Sequence, residues 1–344
     1  MSEELEALLE QADLRYVSTD IPGLSRKRWG RGFTYIDRKG ETIDDESLRE
    51  WIESIKIPPA WENVWISPYK NGHILATGRD AKGRKQYRYH PRWREVRNLN
   101  KFDDLMSFGA CLPKIREVTD SHLRKHTLSR QRVLALVVRL LESTLIRIGN
   151  NEYANDNETY GLTTFEDDHV QIDGNKLCFE FTGKSGVEQS VNLNDPRLAR
   201  QVQVCRDIPG FELFQYQDSD GNYLAVDSSD VNAYLHEITG EPFTAKVFRT
   251  WGASTLAVRV LSQLGAEDET ADREQQIRQA VKEVASELGN TVAVCRDYYV
   301  HPAIQEAHRD KGLHTLVAKK SKPKSPYALQ PEEAVLVEII ENQN

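Results

Sequence analysis

Apolar and polar residues alternate in short bursts up to about residue 97 and then switch to helical spacing. LRYVSTDIPGLSRKRWGRGFTYIDRKGETI alternates with glycine breaks, and FTYIDRKGETI reads as a hairpin turning at Arg38-Lys39-Gly40. ENVWISPYKNGHILATGRDAKGRKQYRYHP reads as short strands parted by Asn71-Gly72 and Lys82-Gly83. Residues 1–13 and DDESLREWIESI supply short helices, the second led by acids. Residues 1–97 are therefore expected to form a small β-rich domain.

From about residue 100 the helical period takes over. SRQRVLALVVRLLESTLIRIGN predicts an apolar helix stopped at Gly149-Asn150, with Arg147 at its end. DDHVQIDGNKLCFEFTGKSGVEQSVNL predicts three short strands turning at Asp173-Gly174 and at Gly183-Lys184-Ser185-Gly186. Helical patterns return in DPRLARQVQVCRDI, SSDVNAYLHEITG, TAKVFRTWGASTLAVRVLSQLG and ADREQQIRQAVKEVASELG. The expected class is α+β: a β-rich domain over 1–97, a mainly α domain with one small three-stranded sheet over 98–314, and a tail over 315–344. The tail pairs a Lys/Pro-rich stretch, AKKSKPKSP, with a terminal helix, PEEAVLVEIIE, suited to added DNA affinity or to docking on a partner or on the chain itself.

Composition narrows the class. With 39% hydrophobic and 28% charged residues, the chain reads as soluble and globular, and no apolar run approaches the roughly 18 residues of a bilayer span. The start, MSEELEALLEQ, is acidic and not signal-like. Cys111, Cys178, Cys205 and Cys295 are scattered without a metal-type spacing, which reads as reduced thiols in a cytoplasmic protein with no metal site.

The net charge of −8 argues against a nucleic-acid partner, but its distribution reverses that argument. Residues 70–101 hold ten Lys/Arg against two acids, a local balance of 10 − 2 = +8. Arg26-Lys27-Arg28 with Arg31 forms a second cluster. Basic patches on an acidic chain suit a protein that grips phosphates on one face; a solvated charged loop is the plainer reading. In QYRYHP, Tyr87 and Tyr89 stand two apart on one strand face among basic residues, placed either for DNA or for the core.

Candidate chemistry centres on LGNTVAVCRDYYVHPAI, where Asn290 precedes Tyr299 by nine residues in a helix-like run ending at His301-Pro302. A free tyrosine, with a pKa near 10, is a poor nucleophile unless cations stabilise the charges involved. Arg147, Lys184 and Arg249 are the cations in question. Singly each is ordinary: an arginine near a helix end complements the dipole, and a lysine at a hairpin tip is solvated. GKS at Gly183 is no phosphate loop, because Cys178 stands where that loop needs its first glycine.

Taken in order, Arg147, Lys184, Lys246-x-x-Arg249, Asn290 and Tyr299 carry a resemblance. IRIGNNEYANDNETYGLTT, FTGKSGV, KVFRTWGAS and LGNTVAVCRDYYVHP resemble blocks of the type IB DNA topoisomerases in their short, poxvirus-like and bacterial form. IPPAWENVWISP, GHILATGRDAKGRKQYRYHPRWREVR and KFDDLMSFGACLPKIR resemble the same family, so the likeness spans roughly residues 14–313. It implies a two-domain clamp on duplex DNA whose catalytic domain has the fold shared with tyrosine recombinases. It also implies relaxation of both supercoil signs through a 3′-phosphotyrosyl nick, swivelling and religation.

The roles implied are Tyr299 as nucleophile, Arg147 and Arg249 on the non-bridging oxygens, and Lys184 as acid to the 5′-oxygen. Asn290 stands where many members carry histidine, offering a neutral hydrogen bond instead of charge. Gln86, Tyr87 and Tyr89 match DNA-contacting positions, with Arg84, Lys85 and Lys246 beside them as further candidates. Two arginines leave no need for Mg²⁺, and exchanging one phosphodiester for another needs no ATP, so no cofactor is expected. The expected setting is a monomer on double-stranded DNA in a bacterial nucleoid.

Tyr298 is the rival nucleophile, and the nine-residue spacing from Asn290 selects Tyr299. A tyrosine recombinase is the nearest alternative. It typically carries H-x-x-R where Lys246-x-x-Arg249 stands, LGH for LGN, and a helical N-terminal domain. An inert DNA clamp of the same fold is the other.

Overall fold

A computed structural model describes residues 3–30, 32–81, 83–99, 102, 104–150, 154, 158–267 and 272–342. Arg31, Lys82, Lys101 and most of 151–157, part of the first quoted block, lie outside the described residues. The chain divides into two compact units, Met1–Lys101 and Phe102–Asn344, each described separately below. The tail set apart in the sequence at 315–344 belongs to the second unit.

In the first unit, β1 (Leu24–Trp29), β2 (Gly32–Ile36), β3 (Glu62–Ile66), β4 (Ile74–Arg79) and β5 (Lys85–Tyr89) form one antiparallel sheet in the order β2-β1-β3-β4-β5. Helix α2 (Glu46–Ser54) starts at Asp45, whose carboxylate accepts from Leu48 N, and it packs Ile52 against Leu24, Tyr35, Ile66 and Leu75. Helices α1 (Glu3–Gln11) and α3 (Pro91–Leu99) share a second small core of Leu8, Leu9, Trp93 and Val96. The main early hairpin is β1–β2, turning at Gly30, one turn before the predicted one. At Arg38-Lys39-Gly40 there is a tight turn whose arms pair through an Ile36–Thr42 bridge and through Asp37 N to Glu41 O at 2.8 Å and Ile43 N to Tyr35 O at 2.9 Å, with the Asp37 carboxylate accepting from Lys39 N and Glu41 N. Arg26 is not a free cation either. Its guanidinium donates to the carbonyls of Ile57, Pro58 and Trp61, holding the loop before β3.

The second unit is built around α5 (Arg130–Thr144), capped by Ser129. Val133 to Val138 are buried without a break, and Leu140 and Leu141 follow, as in a helix enclosed by others. Truncating one such leucine to alanine costs about 2–5 kcal/mol. Around it lie α4 (Asp104–Leu123), α6 (Pro196–Arg206), α7 (Ser228–Thr239) and α8 (Lys246–Glu267). Farther along run α9 (Arg273–Glu287), α10 (Val292–Tyr298), α11 (Pro302–Lys311) and α12 (Leu313–Ala318). The three predicted strands are β6 (Val170–Asp173), β7 (Lys176–Gly183) and β8 (Val187–Asn194), ordered β6-β7-β8. A second hairpin, β9 (Gln215–Gln217) with β10 (Tyr223–Ala225), is absent from the sequence reading because three-residue strands show no periodicity.

The terminal helix α13 (Pro331–Glu341) buries Val335, Leu336, Ile339 and Ile340 in this unit's core. Glu333 pins it: its carboxylate accepts from Arg116 at 2.6 Å and from Trp251 Nε1 at 3.2 Å, both on other helices. The terminal helix thus docks on the chain itself.

Candidate active site

Arg147 does not end the apolar helix. α5 stops at Thr144, Leu145 turns into the left-handed region (φ 55°, ψ 17°), and residues 145–150 run on without helical bonds. Tertiary hydrogen bonds replace the helical ones: Leu162 N donates to Arg147 O at 2.9 Å and Thr163 N to Ile148 O at 2.6 Å. The two segments lie so close that a Cβ at Gly161 would stand 2.5 Å from Arg147 O, so only glycine fits there. Arg147 is thereby a fixed post, half-buried, with its guanidinium free of any carboxylate among the described residues.

Its Nη2 donates to Oδ1 of Asn290 at 2.6 Å. Asn290 sits just past α9, where its backbone N–H bonds Ala285 O at 2.9 Å. The carboxamide has one face left: Nδ2 is buried and has no acceptor among the described residues.

Arg249 lies in the first turn of α8 and is 4% exposed. Its Nη1 donates to Leu145 O and its Nη2 to Leu288 O, while Nε is buried without an acceptor among the described residues. Those carbonyls are the free ends of α5 and α9, so Arg249 ties together the backbones that carry Arg147 and Asn290. Burial, with Arg147 nearby, lowers the Arg249 pKa, though the group stays charged at neutral pH.

Tyr299 follows α10 as its C-terminal cap, with φ −129°. Its backbone is held from both sides: its N–H reaches Cys295 O at 3.0 Å, and its carbonyl accepts from Ser254 Oγ at 3.0 Å. The same Oγ accepts from His301 N at 3.1 Å, and His301 in turn caps α11. The half-buried ring lies 5.4 Å from the Arg249 guanidinium carbon. Burial pushes the phenol's pKa up, but Arg249, Arg147 and Lys246 outweigh it and hold the group below an ordinary tyrosine. Tyr298, by contrast, is 44% exposed.

Lys184 occupies the tip of the β7–β8 hairpin, where Ser185 and Gly186 both take φ 73°. It is exposed and makes no hydrogen bond or ion pair among the described residues. So the fold assembles Arg147, Arg249, Asn290 and Tyr299, with Lys246 near enough to act on the phenol, while Lys184 stands exposed on its hairpin without a bond to any of them among the described residues.

In the first unit, the rings of Tyr87 and Tyr89 stack at 5.9 Å along β5, and Lys85 Nζ stands 5.6 Å from the Tyr87 ring centre. Arg84 is tied to Asp80 at 2.7 Å, and Gln86 Nε2 donates to the same carboxylate at 3.0 Å. Arg88 reaches Lys56 O at 2.6 Å. Part of the apparent positive charge of this stretch is therefore internally paired, and Lys85 with the tyrosine edge is its more available portion.

Residues 90–322 match the family described as "Eukaryotic DNA topoisomerase I, catalytic core", and residues 32–80 match "Bacterial DNA topoisomerase IB, N-terminal domain". The chain is 31% identical to "DNA topoisomerase 1B" of Acanthamoeba polyphaga mimivirus, over 81% of this chain and 85% of that protein. It is 22% identical to "DNA topoisomerase 1B" of Vaccinia virus (strain Copenhagen), over 84% of this chain and 91% of the relative. The chain belongs to the type IB DNA topoisomerases. A XerH site-specific recombinase bound to its palindromic difH substrate is a remote structural match, at TM-score 0.37 and 14% identity over 58% of this chain and 50% of that one.

Sequence reading of this topoisomerase overlooked Ser254, which fixes the backbone on both sides of Val300. A serine inside an apolar helix, five residues after Arg249, carries no local signal of that role. Nor does sequence reveal that the carbonyls of Leu145 and Leu288 hold Arg249, since every residue has a carbonyl.

Proposed function

We propose that this type IB topoisomerase cleaves one DNA strand with Tyr299 and reseals it through the same residue. The tyrosine oxygen attacks the scissile phosphorus, the bond to the 5′-oxygen breaks, and a 3′-phosphotyrosyl linkage forms. Arg147 and Arg249 neutralise the two non-bridging oxygens, with Asn290 Nδ2 donating a further hydrogen bond. Lys184 gives its proton to the departing 5′-oxygen, whose alkoxide is too basic to leave unaided. Religation is the reverse, so bond energy is conserved and ATP is not consumed. The arginines supply the charge a metal would otherwise bring, which is why none is expected to be obligatory.

The observation that carries this reading is the pair of orphaned donors beside a depressed phenol. Arg249 Nε and Asn290 Nδ2 are buried without acceptors among the described residues, next to a tyrosine whose pKa is held below the ordinary value. Buried N–H groups without acceptors are costly, and an oxyanion bound there would satisfy both. Lys184 enters by its place on the three-residue tip of the β7–β8 hairpin, exposed and without a hydrogen bond or ion pair among the described residues. Gln86, Tyr87, Tyr89, Lys85, Arg84 and Lys246 are proposed to meet DNA, Arg84 less through its charge than the others because Asp80 neutralises it. The enzyme is proposed to act as a monomer, and the bacterial N-terminal match favours nucleoid DNA as its setting.

The test is relaxation of a supercoiled plasmid in EDTA without ATP, comparing wild type, Tyr299→Phe and Tyr298→Phe. Relaxation of both supercoil signs by wild type and Tyr298→Phe, but not Tyr299→Phe, is the expected result. Equal relaxation by all three would sink the assignment.

A further inference from the structure

The β8 strand, VEQSVNLN, alternates in burial, with Gln189, Val191 and Leu193 on the half-buried side and Glu188, Ser190 and Asn192 exposed. Val191 and Leu193 pack on the core, so the inward row calls for an apolar residue at 189 and carries a glutamine instead. Positions that break a local rule without local compensation are where function is to be sought.

The surroundings of this side chain say what it does. Its Nε2 is buried and has no acceptor among the described residues. A Cβ at Gly183, one residue before Lys184, would stand 2.5 Å from that Nε2; a Cβ at Gly289, one residue before Asn290, would stand 2.8 Å from it. The amide is thus wedged between the base of the hairpin and the turn after α9, and two glycines make the room.

We propose that Gln189 is a positioning residue that couples the Lys184 hairpin to the Gly289–Asn290 turn. Resting on the assignment of Lys184 as the acid, the inference is that Gln189 sets where the hairpin stands when it delivers the proton. Its orphaned N–H finds its acceptor in the DNA-bound arrangement, when the hairpin closes. Gln189 does not itself touch the reacting atoms.

The experiment is single-turnover cleavage of two substrates, one with a normal 5′-oxygen and one with a 5′-sulfur at the scissile bond. A thiolate, with a pKa of about 8.5 against the far higher value of an alkoxide, leaves without a donated proton. Gln189→Ala is expected to slow the oxygen substrate about 10- to 100-fold, the scale of a small misplacement. On the sulfur substrate the defect should shrink to within about threefold, far below that scale. Lys184→Ala is the control and should be rescued in the same way.

Gln189→Leu keeps the volume and completes the apolar row, so it should fold and melt no lower than wild type while showing the same substrate-dependent defect. Gly183→Ala, which pushes a methyl group at the amide, is the second check. Equal defects on both substrates, or none on either, overturn the role of Gln189 while leaving Lys184 as the acid. Failure of sulfur to rescue Lys184→Ala removes the acid assignment and this inference together.

Discussion

Arg147 and Asn290, 143 residues apart, share a 2.6 Å hydrogen bond in which the asparagine spends its oxygen on the arginine and leaves its nitrogen without an acceptor among the described residues. The bond fixes the rotation of the carboxamide: with Oδ1 committed to a cation, Nδ2 can only present N–H. Asparagine here is therefore a neutral donor whose orientation is set by its neighbour.

Replacing that nitrogen by oxygen should be worse than removing the side chain. Asn290→Asp keeps the bond to Arg147 but turns a donor into a repelling anion and cancels part of the arginine's charge. Single-turnover cleavage is expected to fall about 10²- to 10³-fold, the loss typical of one oxyanion donor. Asn290→Ala should lose less, and a faster Asn290→Asp would contradict the donor role.

The depressed phenol of Tyr299 predicts a pH signature. Cleavage should rise with pH as the phenolate fraction grows and level off below the ordinary tyrosine value near 10. Removing the guanidinium closest to the ring, in Arg249→Gln, should shift that inflection upward, because burial then acts with one cation fewer to oppose it. The rate at any fixed pH should also drop about 10²-fold or more. Rate–pH profiles of the two proteins decide the matter, and an unmoved inflection would argue against the coupling.

His308 predicts acid sensitivity of the fold. Its Nε2 lies 2.7 Å from Gln276 Oε1, and its Nδ1 accepts from Leu313 N at 3.4 Å, so the ring is bound as the neutral form. Burial, then Arg273 and His314, push its pKa down to about 4. The unfolded chain, with histidine near 6.5, binds more protons between those values, so stability is full above about 6.5 and is lost as pH falls towards 4. Urea unfolding should show about 2 kcal/mol less stability at pH 5 than at pH 7 from this group. The difference should shrink in His308→Gln.

Glu333 predicts how firmly the terminal helix is held. Its carboxylate serves Arg116 and Trp251, and Arg116 also pairs with Glu142 at 2.7 Å. Glu333→Ala leaves a buried guanidinium short of one partner and is expected to cost about 3 kcal/mol. Because Trp251 stands two residues after Arg249 on the same helix, cleavage should weaken as well. A chemical melt with no change in midpoint would mean the ion pair is dispensable.

Much of this molecule is legible in its sequence. The alternation around Asn71-Gly72, Lys82-Gly83 and Asp173-Gly174 marks strands and turns, because a period of two and a glycine turn are local properties of the chain. The buried α5 was legible for the same kind of reason, and the quoted blocks pointed to the topoisomerase family that the comparisons then showed. The terminal helix was visible too, though what covered its apolar face was not.

Tertiary structure decided the rest. Where α5 ends was set by hydrogen bonds from residues 162 and 163, so Arg147 stands beyond the helix that its sequence seemed to continue. The orphaned donors, the serine behind Tyr299 and the glutamine between two glycines come from segments far apart in the chain. Local periodicity reports which face a residue occupies; it carries no information about which distant atom that face will meet. A catalytic site is made of such meetings, and they exist only once the chain has closed on itself.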